Sequence, residues 1–172
     1  MELKNIPIAI GVLVLFLTIP AAVYLSTQPN SVKTLTKAGK EESAVYYLWP
    51  AETEVSLGEA LEVRITLASP EESVSEAKTT LKYDPQALDV TGIEKGIIFN
   101  NYTKKELDSV TGQIEIRARG NFEGTGTLAT VKFTPKQKGE TDLTLIKSGS
   151  EVLNNTGSNI LQGVNGSVII VN

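Results

Sequence analysis

Two sets of polar side chains at period-two spacing carry most of the chemistry this chain offers. Lys78, Thr80 and Lys82 alternate with Ala77, Thr79, Leu81 and Tyr83. Glu115, Arg117 and Arg119 alternate with Ile114, Ile116 and Ala118. Such alternation sends the apolar set of a strand to the core and the polar set to water. On neighbouring strands the two polar sets make one flat, charged sheet face. That face suits the docking of another protein, where Arg and aromatic anchors dominate and each partner buries about 800 Å². Arg117 is the first anchor expected.

Catalysis has little to work with. The chain has no His and no Cys. This removes the commonest general base, thiolate metal sites, disulfides and every Ser-His triad. Glycosidase chemistry needs two carboxylates about 5–9 Å apart across a cleft. Asp84, Asp89, Asp108, Glu115 and Glu123 are available, but no motif pairs any two of them. Asp108 and Asn154-Asn155 offer oxygens without a spaced acidic loop for calcium. No catalytic residue, metal ligand set or cofactor is therefore assigned. The formal net charge of -4 supplies no basic face for nucleic acid.

Sugar binding is the competing use of the surface, and it calls for exposed rings. The single Trp, Trp49, leads that set, with Tyr102 and Phe122 beside it and Tyr46 and Tyr47 as further contributors. The plainer reading makes most of these rings core or loop plugs.

The elements that position these residues are strands. Leu61, Val63, Ile65 and Leu67 alternate with Glu62, Arg64 and Thr66. Asp84-Pro85 ends the strand of Lys78, and Leu88, Val90 and Ile93 return to the same core. Ala44–Leu48, Ile97–Phe99, Gln113–Arg119, Leu128–Pro135, Thr141–Ile146 and Val168–Val171 read as further strands. Residues 69–73, 120–127 and 148–159 read as loops, the glycines of 120–127 serving turns with positive φ. No segment after Tyr24 shows a helical period. Strands every 10–15 residues with turn residues between them predict an all-β, two-sheet antiparallel sandwich over residues 44–172.

Residues 6–25 carry no charge, and as a helix they span about 30 Å, the thickness of a bilayer core. They read as a transmembrane signal anchor after a cytoplasmic head of residues 1–5. The competing reading is a signal peptide cut near Ala21 or Ala22, but the run is long and no A-x-A site closes it. Residues 26–43 form a polar linker. Lys4 precedes the span, and Lys33, Lys37 and Lys40 follow it, so charge does not set the orientation. The short head suits a signal-type start. The expectation is a single-pass protein of the cell membrane with its sandwich extracytoplasmic.

The segment LKYDPQALDVTGIEKG resembles the signature of cohesin domains. GTGTLATVKFTPKQKGETDLTL and the final GVNGSVIIV resemble later strands of the same family, so the likeness covers roughly residues 45–172. The resemblance implies a nine-stranded jelly roll and a non-catalytic receptor for a dockerin, a small module that carries its own calcium. In cohesins that bind cellulase dockerins, the outward face of the strand before Tyr83 bears an Asn and an Asp. The matching positions here are Glu76 and Lys78, so the partner's chemistry differs. The docking set is then Glu76, Lys78, Thr80, Lys82, Glu115, Arg117 and Arg119. The partner expected is a dockerin-bearing protein, with polysaccharide the alternative.

Overall fold

The structure is a computed structural model and describes residues 43–172. The head of residues 1–5, the anchor of residues 6–25 and all of the linker but Ser43 lie outside the described residues. Among the described residues no helix is long and apolar enough to cross a membrane.

Two long strands organise the domain. β3 (Leu61–Lys82) and β6 (Gln113–Pro135) pair antiparallel over most of their length. At about 3.3 Å per residue, 22 residues of straight strand would span about 70 Å. A domain of this size has a radius of gyration of only about 14 Å. The pair must therefore fold over. It does so between Ser69, opposite Gly124, and Val74, opposite Phe122, where residues 70–73 face Glu123 alone. Extra residues on one strand bend it in this way. Residues 69–73 and 120–127 are thus strand, not loop, and the glycines explain why. Only Gly124 has a positive φ there. A Cβ on Gly120 would lie 2.9 Å from the Phe99 ring, and one on Gly126 would lie 2.3 Å from Ile98. Those two positions stay bare so that the 96–99 loop can pack over the bend.

The fold-over makes two layers of one hydrogen-bonded sheet. In the first, Leu61–Ser69 and Gly124–Pro135 lie between β4 (Leu88–Lys95) and β1 (Ala44–Trp49), with β9 (Leu161–Asn165) beyond β1. In the second, Val74–Lys82 and Gln113–Phe122 lie between β5 (Asn101–Asp108) and β8 (Glu151–Asn154). β7 (Gly139–Leu145) continues the β8 edge at Leu81 and Lys82, then pairs with β10 (Ser167–Val171), which pairs with β2 (Glu52–Val55). The buried faces meet in one hydrophobic cluster that includes Tyr46, Ile65, Leu81, Ile116, Phe133 and Ile169. The four-residue apolar run in β10 reflects its central place between β2 and β7.

The described residues hold ten strands, and the pairing is not wholly antiparallel. β1 with β9 and β2 with β10 are parallel. The β1–β2 and β9–β10 connections cross from one layer to the other at the same corner. Ser167 donates its hydroxyl to the Pro50 carbonyl at 2.7 Å, and the Val168 N–H bonds the Ala51 carbonyl at 2.9 Å. A Cβ on Gly166 would lie 2.5 Å from the Leu143 carbonyl oxygen, so only Gly passes this corner.

Other expectations are corrected locally. Ile97–Phe99 is not a strand: Ile97 is 86 % exposed, while Phe99 is buried against Phe122 as a loop plug. The 148–159 stretch contains β8, and a 3-10 turn at Lys147–Gly149 separates it from β7. Thr66 turns inward, next to the extra residue Leu128 that shifts the register between Ile65 and Thr66.

A candidate docking face on the second layer

The seven residues singled out for docking share one face. Across β3 and β6, Glu76 lies opposite Arg119, Lys78 opposite Arg117, and Thr80 opposite Glu115. Lys82 lies opposite Gln113. Their inward neighbours Ala77, Thr79, Leu81, Ile114, Ile116 and Ala118 are all buried, which fixes the polar set outward. β5 adds Lys104 beside Arg117, Glu106 beside Glu115 and Asp108 beside Gln113. β8 adds Leu153 beside Glu76 and Glu151 beside Lys78. The result is a four-stranded platform in the order β8-β3-β6-β5.

Its charges are organised. Glu76 is the most covered of them and is shared by two guanidinium groups, Arg117 at 3.1 Å and Arg119 at 2.7 Å. The Arg119 contact is an aligned hydrogen bond. The Arg117 Nε sits within ion-pair distance but is not aligned to donate, and this nitrogen is buried without a hydrogen-bond acceptor. At the other end Lys104 donates to Glu115 at 2.8 Å and pairs with Glu106 at 3.1 Å. Lys78 reaches Glu115 at 3.7 Å. The hydrogen bond from Lys104 holds the Glu115 carboxyl below the usual range, and the same bond raises the Lys104 ammonium. A cavity of about 130 Å³ lies here, lined by Thr80, Glu106, Asp108, Gln113 and Glu115.

Sequence reasoning missed the β5 and β8 residues. In NYTKKELD the alternation is broken by a register shift between Tyr102 and Lys104. β5 is also a sheet edge, paired only with β6, so its inner side is not sealed and Lys105 reaches round to bond the Ile93 carbonyl at 2.9 Å. β8 is too short to show a period.

The aromatic candidates do not form one strip. Trp49 is 53 % exposed on the first layer, with the Arg64 guanidinium 4.8 Å from its ring centroid. Tyr102 packs on the core and receives the Gly96 N–H at 2.9 Å while donating to the Leu128 carbonyl. Phe122 stacks edge-on against Phe99, 6.0 Å away. Tyr46 is fully buried, and burial pushes its phenol far above the ordinary range.

The family profile of the cohesin domain matches residues 50–170. The chain belongs to the cohesin family. No curated protein sequence matches it. Solved cohesins share its fold. The non-cellulosomal cohesin of the archaeon Archaeoglobus fulgidus superposes with a TM-score of 0.64 at 18% identity, covering 76% of this chain and 91% of that one. The third cohesin of ScaC from Acetivibrio cellulolyticus, solved in complex with the ScaB dockerin, gives 0.66 at 16% identity, with 74% and 98% covered. The OlpA cohesin of Clostridium thermocellum, solved in the Coh-OlpA-Doc918 complex, gives 0.65 at 12% identity, with 76% and 99% covered. At these identities the likeness speaks for the fold. What the cohesin fold presents in this chain is set by its own side chains on β3, β5, β6 and β8.

Proposed function

We propose that this cohesin domain is a non-catalytic receptor that binds a dockerin-bearing protein through the β8-β3-β6-β5 face, tethered to the membrane by residues 6–25. The observation that carries the reading is the flat polar platform on a chain whose residues 50–170 match the cohesin family. Of the three solved cohesins compared above, two are in complex with a dockerin. An Arg whose Nε lacks an aligned acceptor, at the centre of a four-stranded face, is the kind of group that protein interfaces use as an anchor. The uncharged 20-residue run supports the tether. Sugar binding is not favoured, because Trp49, Tyr102 and Phe122 are held in separate settings.

The test is a pull-down with the full chain in mild detergent against the extracellular proteins of its source organism, run with calcium and with chelator. The expected result is capture of a protein with paired calcium loops, in the calcium lane alone. An empty calcium lane from a cooperatively folded bait contradicts the reading.

A further inference from the structure

The docking face is charge-balanced as a whole but split along its strands. At one end two guanidinium groups, Arg117 and Arg119, share the single carboxylate of Glu76. At the other end three carboxylates, Glu106, Asp108 and Glu115, line one cavity that two ammonium groups, Lys78 and Lys104, reach through Glu115 and Glu106. Counted by strand register, the Glu76–Arg119 row and the Glu151–Lys78–Arg117–Lys104 row together carry surplus positive charge, and the Thr80–Glu115–Glu106 row and the Lys82–Gln113–Asp108 row together carry surplus negative charge. The Arg117 Nε is buried beside Glu76 without an aligned acceptor, while about a third of the side chain stays open to water, 36% by area. Asp108 is already a turn cap, taking the Val110 and Thr111 N–H groups and the Thr111 hydroxyl. Glu106 is the most exposed of the paired carboxylates on this platform, with 69% of its side chain open to water.

Arg117 and Glu115 are two residues apart on β6, which separates them by about 7 Å along the strand. A guanidinium without an aligned acceptor receives a carboxylate through two parallel N–H bonds. A small cavity walled by three carboxylates receives an ammonium or guanidinium. We propose that this face selects its partner by a paired charge, a carboxylate that Arg117 receives and a cationic side chain about 7 Å away that enters the Glu106, Asp108 and Glu115 cavity. The inference rests on the reading of this platform as the docking surface, and it gives the partner a chemistry.

The pairing also explains a local cost. Lys78, Arg117 and Lys104 stand side by side across three strands, an arrangement that places like charges directly opposite. Glu76 and Glu115 offset it diagonally. A partner carboxylate laid on that row completes the offset, and the partner cation balances the carboxylates left over.

The probe is a set of stapled helical peptides, in which residues four apart sit about 6 Å from each other. One carries Glu and Lys at that spacing, one carries Gln at both places, one Glu at both and one Lys at both. Each is titrated into the isotope-labelled full chain in detergent micelles, and backbone amide shifts are followed. The expected result is saturable binding of the Glu/Lys peptide at least tenfold tighter than the other three, with shifts at Arg117, Glu115, Gln113 and Thr80. In a Glu106→Lys variant that preference is lost and the Glu/Glu peptide becomes the best ligand. Equal binding of all four peptides, binding of none, or an unchanged preference in the variant overturns the pairing. A dockerin captured in calcium alongside such a result leaves the docking reading standing. A captured dockerin that protects some other face defeats the reading itself.

Discussion

Replacing Arg117 with Ala should separate binding from folding. In the free protein the side chain contributes one ion pair, with Glu76, and Glu76 keeps Arg119 when it is lost. A part-exposed pair of that kind is worth about 0.2–1 kcal/mol. Against this, the substitution relieves the repulsion between Arg117 and its flanking Lys78 and Lys104, about 0.2–1 kcal/mol for each opposed pair. The two effects nearly cancel. The thermal midpoint should therefore move by no more than about 4 °C. Affinity should behave otherwise. A central Arg anchor is worth about 2 kcal/mol or more, which is roughly a thirtyfold rise in Kd. Calorimetric titration of the captured dockerin-bearing partner in calcium measures that rise, and a melt of each variant measures the midpoint. Arg117→Lys refines the test, since it keeps the charge but loses the planar fork, and it should bind nearly as weakly as the Ala variant. A Kd within threefold of the parent for Arg117→Ala, with the partner seated on this face, refutes the assignment of Arg117 as anchor.

Other outcomes follow from the same structure. Glu115→Gln should lower the melting midpoint between about pH 5 and 9, and the difference should vanish at both extremes. It fades as pH falls below about 4.5, through the range in which the depressed Glu115 carboxyl is protonated, and as pH rises above about 10.5, where the raised Lys104 ammonium is finally neutralised. A difference that does not shrink at all as the pH is lowered from about 5 to about 2 would sink the Lys104–Glu115 bond as its source. Gly126→Ala should destabilise the fold by about 1–3 kcal/mol in urea titration, because its Cβ meets Ile98 at 2.3 Å and the 96–99 loop must lift. Trp49→Ala should leave dockerin capture unchanged, and the parent should run unretarded in polysaccharide affinity gels; retardation abolished by the substitution would restore the sugar reading. Deleting residues 1–25 should release the chain from the membrane fraction, and continued pelleting would argue against the tether.

The sandwich was legible because the decisive strands bury one face each. Leu61, Val63 and Ile65, and again Ile114, Ile116 and Ala118, alternate without a break and are buried. The docking face followed from the same alternation read on its other side. What the sequence hid was continuity. Residues 69–73, SPEES, and 120–127, GNFEGTGT, look like loops because Ser and Pro in the first and three Gly in the second are turn residues, yet they are the bent middle of one long hairpin. Their composition serves the bend and the packing of Ile98 and Phe99. Val90 and Ile93 are three residues apart because the strand carries an extra residue between Val90 and Gly92, which no single-strand period reveals. β5 and β8 stayed hidden for different reasons. One is an edge with polar residues on both sides, and the other is four residues long and broken from β7 by a turn. The parallel pairings depend on the β1–β2 and β9–β10 connections crossing together at Pro50 and Gly166, a relation between distant residues that local pattern does not encode.

The most direct test of the docking account is a hydrogen-exchange footprint of the full chain with its calcium-dependent partner bound. The account predicts added protection at residues 74–82, 101–108, 113–119 and 151–154, with the Trp49 side of the first layer unchanged. Protection confined to the first layer, or spread over neither sheet face, would contradict it.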